Sequence, residues 1–226
     1  MRESLAKYGL EDKPVWINEY NTSPNLDPAW PVTRPQFQVT LAQQQAFIIQ
    51  ASALALASGV ERLAVYKLWD QNADPAIETF GLLTPGQDDR VPRPAFYAYR
   101  AVVRHFQGVT GARWAVTPLA YAVLLDHADG HQTLVAWART AEPVGLVGDV
   151  PDGKAYTMEQ YGHLSVISGD AVFTLAGATC DERDGCAVGG PPLVLMLPSG
   201  DLSLRANDAP MTWQEGMPGS SLTITP

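Results

Sequence analysis

Glu19 closes a short run, Pro14-Val15-Trp16-Ile17-Asn18, that is β-branched and aromatic, with proline at its first position where no ladder donor is missed. The run reads as a buried strand. A carboxylate at the C-terminal end of such a strand lies where parallel α/β architectures open their ligand sites. Trp69 follows a second predicted strand, Val60 to Leu68, at the corresponding end. An indole face and a carboxylate on one rim suit a sugar ring that stacks on the first and reacts at the second. The plainer alternative leaves Glu19 a solvated loop acid and Trp69 a packing residue. Tyr20, Asn21 and Trp30, in the loop after Glu19, are placed either to line a glycan cleft or to pack that loop. Asp70 and Asp74 beside Trp69 divide the same way, between a subsite that accepts hydroxyl hydrogen bonds and simple solvation.

The elements that must position these groups are legible in outline. A helical stretch from Glu3 to Tyr8 ends at Gly9. Tyr20 to Val39 is a proline-rich segment too long for an ordinary connection. Thr40 with Gln43 forms a capping-box start, and Leu41 to Ser58 reads as a helix closed by Gly59. Pro94 opens another helix, with Ala95, Tyr99, Val102, Val103 and Phe106 on its apolar face. Helix, strand, helix, strand, helix is the pattern of parallel strands joined by crossovers. Beyond Gly108 the pattern changes to short strands separated by Gly, Pro and Asp turns. The expected strands are 112–116, 120–126, 132–138, 154–158, 164–168, 171–176 and 193–197, which together suggest an antiparallel β-sandwich. The division is therefore residues 1–108, α/β, and residues 109–226, all-β.

Several of these segments together resemble a known family. Lys13-Pro14-Val15-Trp16-Ile17-Asn18-Glu19-Tyr20 is similar to the seventh strand of the (β/α)8-barrel glycoside hydrolases of the retaining clan that includes cellulases, xylosidases and galactosidases. Gln44-Gln45-Ala46 to Ala57, Gly59-Val60-Glu61-Arg62, Phe80-Gly81-Leu82-Leu83 and Arg93-Pro94-Ala95-Phe96-Tyr97-Ala98 resemble the helix, strand, loop and helix that follow. The resemblance implies the last two βα units of a TIM barrel, a partial barrel, followed by the β-sandwich that often trails it. It implies an O-glycosyl hydrolase acting by double displacement on an oligosaccharide or polysaccharide, with Glu19 as nucleophile, Trp69 as a sugar platform and no cofactor. It also implies that the acid/base carboxylate ends a fourth strand with no counterpart in this sequence. The missing N-terminal barrel half would then be a partner, and the chain by itself a C-terminal portion without turnover. Asn18-Glu19 also copies the Asn-Glu dipeptide of that fourth strand, which leaves Glu19 as acid/base in play. A different class of reading is a non-catalytic carbohydrate-binding protein that holds sugar on exposed tryptophans such as Trp137 or Trp213.

Composition narrows the field further. The 226 residues are 46% hydrophobic and 17% charged, with 19 Gly and 18 Pro, enough for a buried core with frequent turns. The net charge is −9, and it is uneven: ten basic and eleven acidic residues lie in 1–108, five and thirteen in 109–226. That balance argues against nucleic acid and against an anionic membrane surface. No apolar run is long enough for a membrane helix, and Met1 to Asp12 has no secretory h-region, so no export signal is expected within these residues. Cys180 and Cys186 enclose a polar turn, and either a disulfide or two thiols fits that spacing. No metal-ligand spacing emerges from the histidines.

Overall fold

The computed structural model describes residues 2–27, 39–70, 79–84, 90–148, 155–159, 161–167, 171–180 and 185–216. A short helix α1 (Arg2–Ala6) leads to β1 (Val15–Tyr20), α2 (Leu41–Ala57), β2 (Val60–Val65) and α3 (Pro94–His105). The start of α2 follows from local chemistry. The Thr40 side chain accepts from Gln43 N while the Gln43 side chain accepts from Thr40 N, the reciprocal capping box. Gly59, at φ +68°, ends that helix in the left-handed conformation. β1 and β2 then pair in parallel, with Val15 opposite Val60 and Tyr20 opposite Val65. Val15, Ile17 and Leu63 turn toward the helices, whereas Trp16, Asn18, Arg62 and Ala64 form an exposed face on which the Arg62 guanidinium lies 4.2 Å from the Trp16 ring centre.

The second half is antiparallel throughout. β3 (Val109–Val116), β4 (Ala120–His127), β5 (His131–Ala138), β7 (Ala155–Met158), β8 (Leu164–Ile167), β10 (Leu193–Pro198) and β13 (Gln214–Glu215) form a seven-stranded sheet in the order β13-β3-β4-β5-β10-β7-β8. β6 (Val144–Gly148), β9 (Ala171–Leu175), β11 (Leu204–Ala206) and β12 (Ala209–Met211) form a four-stranded sheet in the order β12-β11-β6-β9. β6 and the short strands β11 to β13 are not evident in the sequence, because runs of two to five residues carry too little alternation to register. The strand expected to reach Leu68 ends at Val65, and α3 buries Ala98 and Ala101 beside the expected Ala95 and Val102, with Phe106 buried after it and Tyr99 packed partly buried against the same core.

Strand alternation gives the seven-stranded sheet two apolar faces. Ala122, Leu124, Leu134, Ala136, Leu195 and Leu197 pack with Val144, Leu146, Leu175 and Leu204 of the smaller sheet. On the opposite face Val123, Leu125, Val135, Trp137, Met158 and Val194 share one core with α2, α3, β1 and β2. Side chains of α2 fasten this contact: Gln50 Nε2 donates to Gly190 O at 2.8 Å and Gln43 Nε2 to Thr179 O at 3.1 Å. The chain is thus an α/β protein dominated by antiparallel sheets. Trp137, expected as an exposed sugar platform, is 5% exposed and stacked face to face on Tyr121, 5.0 Å between ring centres. Cys180 and Cys186 are joined in a disulfide.

Candidate active site

The end of β1 and the segments after β1 and β2 meet at one rim. Tyr66 N donates to Tyr20 O at 3.0 Å, which brings the residue after β2 alongside the end of β1. Glu19 is exposed at that rim. Because β1 and β2 run parallel, Glu11, Asp12 and Glu61 lie toward the opposite end, before or at the start of the strands. Asp27 and Asp70 are buried at 3% and 1% exposure. Among the described residues of 1–108, Glu19 is therefore the carboxylate that faces solvent at the C-terminal ends of the strands.

Other predicted rim residues turn inward. Tyr20 is stacked obliquely on Phe47, and its phenol hydrogen-bonds Ser52 Oγ at 3.0 Å. Since the Ser52 hydroxyl donates to Ile48 O, the Tyr20 hydroxyl donates to Ser52. Burial pushes the Tyr20 phenol above its ordinary value of 10. It straps β1 to α2. Asn21 is likewise committed: Nδ2 donates to Tyr66 O at 2.8 Å and Phe80 O at 2.7 Å, while Oδ1 accepts from Thr22 N and from Gln44 Nε2. Its amide latches three segments of the rim together. Trp30 and Asp74 fall outside the described residues.

Asp70 is neither a subsite acid nor a solvated one. Arg93 Nη1 donates to its Oδ2 at 2.7 Å, Gly81 N donates to its Oδ1 at 2.8 Å, and Lys67 Nζ lies 3.8 Å away. The same Arg93 donates from Nε to Asp27 Oδ2 at 3.2 Å and from Nη1 to Gly81 O at 2.7 Å. One guanidinium thus ties the loop after β1, the loop after β2 and the segment before α3. Gly81 is required by this closeness, since a Cβ there would stand 2.6 Å from Asp70 N and 2.7 Å from Leu83 O. The sequence hinted at Arg93 only as part of an Arg-Pro helix start. Its partners lie 23 and 66 residues away, beyond the reach of local pattern.

Trp69 keeps 44% exposure and pairs by a single bridge with Leu83, and the Arg90 guanidinium sits 4.5 Å from its ring centre. Tyr66, which sequence reading passed over as strand, stands closer to the end of β1; it packs edge-on against Phe80, with the Lys67 ammonium 5.1 Å from its ring centre. The rim therefore presents one exposed carboxylate, a half-buried phenol ring beside it, and an indole whose one face is already occupied by a cation. Such a surface can hold a sugar ring by its apolar face and present a carboxylate to it.

No protein-family model matches the chain, and no curated protein matches its sequence. Among solved structures the chain is similar to a family 39 glycoside hydrolase from the gut symbiont Bacteroides cellulosilyticus WH2, at TM-score 0.56 and 17% identity, covering 81% of this chain and 34% of that one. It also matches the catalytic domain of GH30 xylanase C from Talaromyces cellulolyticus (TM-score 0.48, 13% identity, 88% of this chain and 48% of that one). A third match is the GH51 arabinofuranosidase from Xanthomonas axonopodis pv. citri (TM-score 0.46, 13% identity, 88% and 45%). The chain spans between 34% and 48% of the length of these structures. At such identities the likeness is one of architecture, and on the first of these matches the chain has a glycoside hydrolase-like fold.

Proposed function

We propose that the chain supplies the nucleophile side of a retaining glycoside hydrolase: residues 1–108 as the last two βα units of a (β/α)8 barrel, residues 109–226 as its β-sandwich. The observation that carries this reading is the exposed carboxylate of Glu19 at the C-terminal end of a parallel strand pair, in a fold similar to a family 39 glycoside hydrolase. Retaining hydrolysis needs a second carboxylate about 5 to 5.5 Å from the nucleophile, to protonate the leaving oxygen and then activate water. Among the described residues Asp27 and Asp70 are locked onto Arg93, and the proton donor is proposed to lie on barrel strands beyond β1 and β2. The exposed Trp16–Arg62 face of β1 and β2 supports the same assignment, because parallel strands are normally buried on both faces. Tyr66 and Trp69 would flank the sugar bound at Glu19.

The test is Glu19→Gln in a polypeptide that includes the remaining barrel strands. Turnover is expected to fall by ~10⁴-fold or more on every substrate, since no covalent glycosyl-enzyme forms. A 2-deoxy-2-fluoroglycoside is expected to label Glu19 and no other carboxylate. Full activity of the variant refutes the reading, and a loss confined to substrates with poor leaving groups reassigns Glu19 as the acid/base. The 226 residues alone are expected to show no turnover above background.

A further inference from the structure

The outer face of the four-stranded sheet carries a cross-strand row in which Pro210, Arg205, Val147 and Val172 are successive register partners on β12, β11, β6 and β9. No described layer covers this row, and Val172 is 73% exposed. Beside it lies a cavity of about 390 Å³ lined by Val147, Ser203, Arg205, Pro210, Met211 and Trp213. That volume falls within the roughly 300–1,000 Å³ of small-molecule sites. The Trp213 indole is fixed as a wall, because its Nε1 donates inward to Leu202 O at 2.7 Å. Its polar edge is therefore satisfied within the protein, and its ring, packed against the core between the two sheets, turns its remaining apolar surface to the cavity.

Arg205 distinguishes this cavity from a packing defect. The surrounding half holds thirteen acidic and five basic residues. In it Arg113 pairs with Asp126 and Arg139 donates to Thr117 O. Arg205 is exposed and has no hydrogen-bond or ion-pair partner among the described residues. An arginine with no carboxylate partner among the described residues, in the wall of a cavity, presents a planar fork suited to a carboxylate from outside the protein.

We propose that this cavity binds a saccharide bearing a carboxylate, a hexuronate residue, with its ring against Trp213, its carboxylate on the Arg205 guanidinium and a hydroxyl at Ser203. The net charge of this half opposes anions in general; the site selects a single carboxylate placed on the Arg205 guanidinium. It lies across the seven-stranded sheet from Glu19, and it does not depend on the assignment of Glu19 as nucleophile.

The experiment is calorimetric titration of the purified 226-residue chain with tri-galacturonate and, at the same ionic strength, with the neutral xylotriose. Tri-galacturonate is expected to bind at least tenfold tighter. Arg205→Gln, at an exposed position where the fold is unaffected, is expected to abolish that difference, and Arg205→Lys to retain part of it. Trp213→Phe is expected to weaken both sugars, and Glu19→Gln to bind as the parent chain does. Equal affinity for the two sugars, no binding of either, undiminished preference in Arg205→Gln, or competition by acetate as effective as by the saccharide would each overturn the proposal.

Discussion

Arg93→Met replaces the guanidinium that joins three rim segments with an apolar side chain of similar length. The guanidinium is 2% exposed, and the carboxylates it contacts, Asp27 and Asp70, are 3% and 0% exposed. Removing one member of a buried ionic cluster strands the others, and such losses run to about 3–5 kcal/mol. Lys67 stays 3.8 Å from Asp70 at 20% exposure and offsets part of the charge, so the lower end, about 3 kcal/mol, is expected. For a chain of this size each kcal/mol moves the midpoint by roughly 2–4 °C, which gives a fall of about 6–12 °C. Calorimetry and urea titration of Arg93→Met measure the loss. The second arm is the triple variant Asp27→Asn, Asp70→Asn, Arg93→Met, in which no charge of the cluster is stranded. It is expected to recover at least half of the loss, since neutral replacement of a buried ion cluster is often tolerated. A loss under 1 kcal/mol in the single variant, or a triple variant no better than the single one, refutes the argument that burial makes this cluster interdependent.

Two further outcomes follow from local chemistry. Thr40→Ala removes one half of the capping box and is expected to cost about 1 kcal/mol, read as a midpoint lower by roughly 2–4 °C. His127 donates from Nδ1 to Gln107 O at 2.9 Å and accepts at Nε2 from Thr133 Oγ1 at 3.0 Å, stacked on His131. Burial is the main cause that holds it below its ordinary 6.5, with His131 adding to that, against the raising effects of the Gln107 carbonyl, Asp129 and Asp126. His105 is lowered by burial, then by Arg104 and His131. In both cases the unfolded chain binds protons that the folded chain does not, so stability is present above 6.5 and declines as pH falls through it. Midpoints measured from pH 7.5 to 5.5 are expected to decline, with a shallower slope in His127→Gln; a flat profile in the parent chain contradicts the sign.

Where a signal lies within a few residues, sequence and structure agree. The Thr40–Gln43 box, Gly59 after α2, and Pro94 at the start of α3 are each local chemistry, and each element begins or ends there. The Glu19 strand is legible for the same reason. What fails is anything decided by partners far along the chain. Asp70 looks like a loop acid until Arg93 is folded onto it, and Asn21 looks free until Tyr66, Phe80 and Gln44 close around its amide. Trp137 alternates correctly for its strand, but which layer covers its face is set by α2 and Tyr121, neither adjacent in sequence. Short strands such as Gln214–Glu215 exist because β3 offers an edge to pair with, and their own two residues carry no pattern.

The seven-stranded sheet works as a party wall. Its two faces belong to different neighbours, so a cut between Gly108 and Val109 follows the change in element type without separating two folding units. Removing residues 1–108 would leave Val123, Leu125, Val135, Trp137 and Val194 facing water, each large side chain costing roughly 1.5–3 kcal/mol of lost burial. An expressed 109–226 segment would carry a greasy flank, and 1–108 its mirror image; the boundary that divides the chain by architecture is one along which it should not be divided in the laboratory.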